Sequence, residues 1–156
     1  MAGIALQLLD KEGLSLEVEI VPGVTAANAA AAILGAPLMH DFAVISLSDL
    51  LTPWELIKKR LQMAGEGDFI VVLYNPRSRG RVTQIEEAQG ILSGYRGAET
   101  PVGIVRNAFR EGESKTVTVL GEMLEHEMDM ATVVVIGNSQ SYTKDGKFIT
   151  PRGYLL

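Results

Sequence analysis

The sequence contains no cysteine, two histidines and one tryptophan in 156 residues. Without cysteine there is no disulfide, no thiolate metal ligand and no thiol nucleophile, an absence that fits the cytoplasm. His40 and His126 are far apart and neither has a companion at ligand spacing, so no metal site is expected. No apolar run approaches the length of a bilayer span, and the first residues lack the basic start and processing site of a signal peptide, so no membrane association is expected. No serine sits in a nucleophile elbow, and neither GxGxxG nor a P-loop occurs. An excess of basic charge is also missing. The 14 lysines and arginines against 19 acids give a net charge of −5, which argues against a nucleic-acid partner. An anionic ligand must therefore meet a local basic patch.

What is present is a composition that is 47% hydrophobic in a chain long enough to bury a core. The most informative stretch is Phe69-Ile70-Val71-Val72-Leu73-Tyr74-Asn75-Pro76. Its unbroken apolar run suits a strand covered on both faces, and the proline ends it. Arg77, Arg79 and Arg81 follow, and Val82, Ile85, Ala88 and Leu92 then recur at helical spacing. Pro101–Val105 and Thr132–Ile136 read as further buried strands, Phe42–Leu47 as another, and Lys115–Val119 as an alternating edge strand. Thr52-Pro53-Trp54-Glu55 predicts a helix with a threonine cap, and Gly65 is expected to end it. From residue 41 onward this makes an α/β domain with a sheet of about five strands covered by helices.

Ahead of it the sequence predicts a helix entered over Met1–Leu9 with Gly13 as its terminator, a half-wet strand over Leu16–Val21, and an alanine-rich helix capped by Thr25 and stopped at Gly35. Such a helix–strand–helix set is too small to form a sheet of its own. The residues from Gln140 onward read as a polar tail with a turn at Lys144–Lys147.

Four strand exits carry small or amide residues: Val21–Ala26, Leu73–Pro76, Val105–Ala108 and Ile136–Ser139. Exposed backbone groups and asparagine amides suit a nucleoside-type ligand. Arg77, Arg79, Arg81, Arg106 and Arg110 lie near two of these exits, and guanidinium forks bind carboxylates in pairs of bonds. His40-Asp41 is a candidate acid–base pair, in which the carboxylate would orient the imidazole.

Val21-Pro22-Gly23-Val24-Thr25-Ala26 resembles a motif of the tetrapyrrole (corrin/porphyrin) methyltransferases. The segments Leu34–Phe42, Ile45–Glu55, Leu73–Pro76 and Thr100–Ala108 resemble the precorrin-3B C-17 methyltransferase branch of that family, in cobalamin biosynthesis. The resemblance implies S-adenosylmethionine as methyl donor, a precorrin or its cobalt analogue as substrate, methyl transfer to C-17 with ring contraction, and a homodimer. It implies two α/β domains, residues 1–38 being the end of the first and 39–156 the second, in a chain truncated at an internal methionine. Thr25, Ala26, Tyr74, Asn75, Asn107 and Ala108 would then contact the cofactor, and Arg77, Arg79, Arg106 and Arg110 the substrate carboxylates. His40 with Asp41 would serve proton transfer. The alternatives are a non-catalytic dimerising fragment, or another enzyme of the same fold such as a diphthine synthase.

Overall fold

The structure, a computed structural model, describes residues 2–154; Met1, which the sequence assigns to the first helix, lies outside them, as do residues 155 and 156. In chain order the elements are α1 (Ala2–Lys11), α2 (Ala26–Leu34), β1 (Gly35–Ala36), β2 (Phe42–Ser46), α3 (Trp54–Glu66), β3 (Ile70–Tyr74), α4 (Gln84–Ser93), β4 (Pro101–Arg106), β5 (Ser114–Val119), β6 (Thr132–Ile136), β7 (Tyr142–Lys144) and β8 (Lys147–Ile149). A single 3-10 turn spans Met123–Glu125. No helix among the described residues is long and apolar enough to cross a membrane.

Five strands form the main sheet in the order β2-β3-β6-β4-β5. β2 and β3 are parallel, whereas β6 runs antiparallel to both β3 and β4. β3 and β4 therefore point the same way with β6 inserted between them. β5 closes the other side as an antiparallel edge, as its alternation predicts. The expected five-stranded α/β architecture is the one observed.

Strand periodicity sorts the core into two layers. Val71, Leu73, Val102, Ile104, Val134 and Ile136 face α3 and α4, meeting Ile57, Leu61, Ile85 and Leu92. Ile70, Val72, Val105, Val133 and Val135 face the other way, towards Ala27, Ala30 and Leu34 of α2 and towards Phe148. The alanines let α2 lie close to the sheet, and Gly103 completes that approach: a Cβ there would stand 2.4 Å from Leu34 Cδ1. Each fully buried Leu, Ile or Phe adds roughly 1.5–3 kcal/mol of burial free energy.

Several expectations are corrected. Leu16–Val21 is exposed, extended chain and not a strand, because no strand among the described residues offers it a ladder of hydrogen bonds. The first helix does form, but α1 buries no residue. The cap of α3 is Pro53 without a side-chain bond, so the Thr52 capping box does not form; Glu55 pairs instead with Lys58 at 2.7 Å. Gly65 lies inside α3 beneath the Tyr95 ring, and Gly67 ends the helix. The polar tail is ordered into the β7–β8 hairpin, whose β8 pairs in parallel with β1 and inserts Phe148 into the core. Thr25 caps α2 as predicted, accepting a hydrogen bond from the Asn28 N–H at 3.3 Å, and Gly35 follows with φ +132°. α2 shares its packing with the sheet, while residues 2–24 contribute nothing to either layer.

Candidate functional site

Because β2, β3 and β4 share one direction, their carboxyl ends open on a single edge, the usual place for a ligand in an open α/β sheet. The N-terminus of α2 reaches the same edge. There the Ala27 N–H donates to Tyr74 Oη at 2.8 Å, so the phenol satisfies a free donor of the first helical turn and ties Thr25 and Ala26 to the end of β3. The next residue turns the chain: Asn75 has φ +53° and donates through Nδ2 to Ser46 Oγ at the end of β2, 3.0 Å away. Asn107 follows β4 with φ +50°, its N–H donating to the Ala131 carbonyl at 3.1 Å. Asparagine enters this left-handed region at low cost, which explains its use at both exits. Ala108 packs against the α2 layer, as Tyr74 does. The six residues expected at the cofactor thus lie along one edge.

The fourth exit does not join them. β6 runs the opposite way, so Gly137-Asn138-Ser139 emerge at the far edge, where the Ser139 hydroxyl donates to Asp68 at 2.6 Å. His40 and Asp41 also belong to the far edge, because they precede β2 where Asn75 follows its parallel neighbour. The length of a five-residue strand, about 17 Å at 3.3 Å per residue, separates the two places. The Asp41 N–H donates to His40 Nδ1 at 2.8 Å, and the two side chains stand 3.8 Å apart at Nδ1 and Oδ2. This candidate acid–base pair therefore lies apart from the strand exits, at the end of the sheet where β2 begins.

On the α4 side of the same edge, two adjoining hollows open. One, of about 240 Å³, is lined by Arg77, Arg106, Glu127, Met128 and Asp129. The other, of about 460 Å³, shares Arg77, Met128 and Asp129 and adds Ser78, Arg79, Val82, Met130 and Ala131. Three of the four arginines expected to meet substrate carboxylates thus converge. Arg110 stands on the Asn107–Glu113 loop and lines neither hollow; nor do Thr25, Ala26, Asn75 or Ala108. Two of the converging arginines already have acidic partners. Arg106 Nε lies 2.7 Å from Asp129, and Arg77 makes a longer contact of 3.5 Å with Glu86. Burial pushes the Asp129 carboxyl upward, but the Thr132 hydroxyl, the Ala131 N–H and the Arg106 guanidinium together outweigh it and hold Asp129 below the ordinary carboxylate value.

Met128, Asp129 and Met130 lie in an acidic stretch without a motif, so no local signal marks them as lining the hollows. In the loop after β4, Phe109 is 70% exposed with φ +55°, an uncommon conformation for a bulky residue, and its N–H donates to Glu113 at 2.7 Å.

The edge offers amide-rich turns and a helix start on one side, suited to a nucleoside-like group, and an arginine-lined hollow on the other, suited to an anion. Residues 1–124 match the model of the Tetrapyrrole (Corrin/Porphyrin) Methylases, and the chain belongs to that family. It is 53% identical over 156 residues to the probable cobalt-factor III C(17)-methyltransferase of Salmonella typhimurium, a match covering all of this chain and 65% of that protein. It is 44% identical over 162 residues to the precorrin-3B C(17)-methyltransferase of Sinorhizobium sp, covering 99% of this chain and 64% of the relative. The crystal structure of the methyltransferase CobJ superimposes with a TM-score of 0.88 at 36% identity, over 97% of this chain and 64% of that one. The chain therefore spans just under two thirds of the length of these relatives.

Proposed function

We propose that this chain forms part of an S-adenosylmethionine-dependent methyltransferase acting at C-17 of precorrin-3B or its cobalt analogue, with ring contraction, in cobalamin biosynthesis. The observation that carries this reading is the hydrogen bond from the Ala27 N–H to Tyr74 Oη. It joins the Val21–Ala26 motif to the end of β3, making one surface from two segments that are far apart in sequence. The identity with C(17)-methyltransferases along the whole chain supports the same branch over a diphthine synthase or a non-catalytic fragment.

The donor set fits the cofactor. Thr25 keeps its hydroxyl proton to give, Asn75 and Asn107 offer turned backbone groups, and Ala26 and Ala108 leave room for a flat ring. S-adenosylmethionine, when bound, supplies an electrophilic methyl group on a sulfonium. The protein's task is then alignment and exclusion of water. Thr25, Ala26, Tyr74, Asn75, Asn107 and Ala108 hold the cofactor on the α2 side. Arg77, Arg79 and Arg106 fix the macrocycle through its carboxylates, with Arg110 at the rim. The pair His40–Asp41, at the far edge, takes no part in the methyl-transfer step. The protein works as a homodimer, and residues 1–38 belong with the domain that covers the cofactor's other side.

Calorimetry with S-adenosylmethionine tests the reading, on this chain and on a chimera supplying the part of the Salmonella relative that it does not span. Binding by the chimera, lost on Tyr74→Phe or Thr25→Val, supports it. Binding by neither protein sinks it.

A further inference from the structure

Behind the larger hollow lies a cation with no anion. Arg81 is 8% exposed, and among the described residues no carboxylate lies within 4.0 Å of its guanidinium. Its Nε is buried without a hydrogen-bond partner, and the one acceptor contacted by Nη2 is Met130 Sδ, at 3.2 Å. A thioether is a weak acceptor and a poor substitute for water around a guanidinium. Burying such a charge without a counter-ion costs several kcal/mol. The residue is nevertheless held in place. Ser78 and Arg81 exchange backbone hydrogen bonds of 2.9 and 3.2 Å across a two-residue turn at Arg79-Gly80. Met130, in contrast, is 55% exposed and lines the 460 Å³ hollow beside Arg77 and Arg79. Its unbranched side chain changes rotamer easily.

From this arrangement we infer that Arg81 is a further ligand-binding residue. Met130 is a displaceable cover over it, and the group that displaces the sulfur is a carboxylate carried on an otherwise apolar body. The hollow has the matching character: Val82, Met128, Met130 and Ala131 furnish apolar wall, Arg77 and Arg79 furnish positive charge, and its one acid, Asp129, is already paired with Arg106; Arg81 lies behind Met130. A tetrapyrrole with acetate and propionate arms has that chemistry. The inference rests on the proposed function for the identity of the ligand, but not for the presence of an unpaired cation that awaits an anion. Arg81 differs from Arg106, whose charge is already answered by Asp129. It is therefore the arginine for which a ligand carboxylate gains most.

Fluorescence titration of this chain with uroporphyrin III, a tetrapyrrole bearing eight carboxylates, tests the binding, and thermal unfolding tests the cation. Arg81→Met should weaken uroporphyrin binding by about tenfold or more, the size of one lost charge-assisted hydrogen bond. The melting temperature should stay level or rise, because an unpaired buried charge has gone. Met130→Glu should place a carboxylate where the sulfur sits, raising the melting temperature and weakening uroporphyrin binding together. Both effects should vanish when Arg81→Met is added. Unchanged titration in Arg81→Met, no thermal gain in Met130→Glu, or no binding of uroporphyrin by the unaltered chain would each overturn the inference. If Arg81→Met does not fold, the Met130→Glu melting temperature alone decides. Failure of S-adenosylmethionine calorimetry leaves these readouts unaffected, so the two proposals fail separately.

Discussion

Residues 2–24 and residues 26–150 obey different rules within one chain. The first segment has helical periodicity and strand-like alternation, yet Ile4, Leu8, Leu16, Ile20 and Val24 are all more than half exposed. The second has its apolar residues sealed in two layers, with Leu34, Leu73, Ile136 and Phe148 fully buried. Local propensity is sufficient to wind α1, but ten residues of helix alone are marginal in water. Only the sheet region obtains the burial that makes structure cooperative.

The contrast can be sharpened or broken by substitution. The largest effect is expected at Phe148→Ala, which should lower stability by about 3–5 kcal/mol, measured by urea unfolding. An unchanged midpoint would mean that the hairpin is not part of the core. Gly103→Val should cost about 1–3 kcal/mol, because the new side chain collides with Leu34. Relief of that cost by Leu34→Ala in the double variant would locate the clash. Tyr74→Phe removes the acceptor for the Ala27 N–H and should cost about 1–3 kcal/mol, with faster amide exchange confined to the first turn of α2. Acid should bring a smaller change. Asp129 has a lowered carboxyl pKa, so its contribution is present above the ordinary carboxylate range and is lost as pH falls through the depressed value. Asp129→Asn should flatten the acid limb of the stability curve. Smallest of all, removal of residues 2–24 should leave the thermal midpoint of the sheet region within about 0.5 kcal/mol, as expected where nothing is buried. A large drop would show that the two regions are coupled after all.

How much of this was legible depended on whether the signal was local. The runs Ile70–Tyr74 and Thr132–Ile136 announce strands covered on both faces because they carry no polar alternation. Thr25 and Gly35 frame α2 by cap chemistry that needs no partner. By contrast, Leu16–Val21 alternates as a strand should, but pairing is a property of two segments and only one was visible. Phe148 is the one phenylalanine in a polar stretch, and its burial follows from β8 meeting β1, residues 35 and 36 with 148 and 149. The site divided in the same way. Asn75 and Asn107 were recognisable as turns after apolar strands. The reversed direction of β6 sends Asn138 to the far edge, and the parallel pairing of β2 with β3 leaves His40 there; both are written in topology and in no residue. Asp129 and Met130 matter only because the loop before β6 happens to lie across the arginines.

That reversal of β6 has an evolutionary corollary. In a wholly parallel sheet every segment bordering a ligand leaves a strand and leads into a helix, so its length is tied to the helix that follows. Here the residues from Glu127 to Ala131 border the hollow while entering β6. Insertions or deletions among them would recut the hollow while Tyr74, Asn75 and Asn107 stayed where they are. The shape of the hollow and the amide-rich edge would then drift on separate clocks.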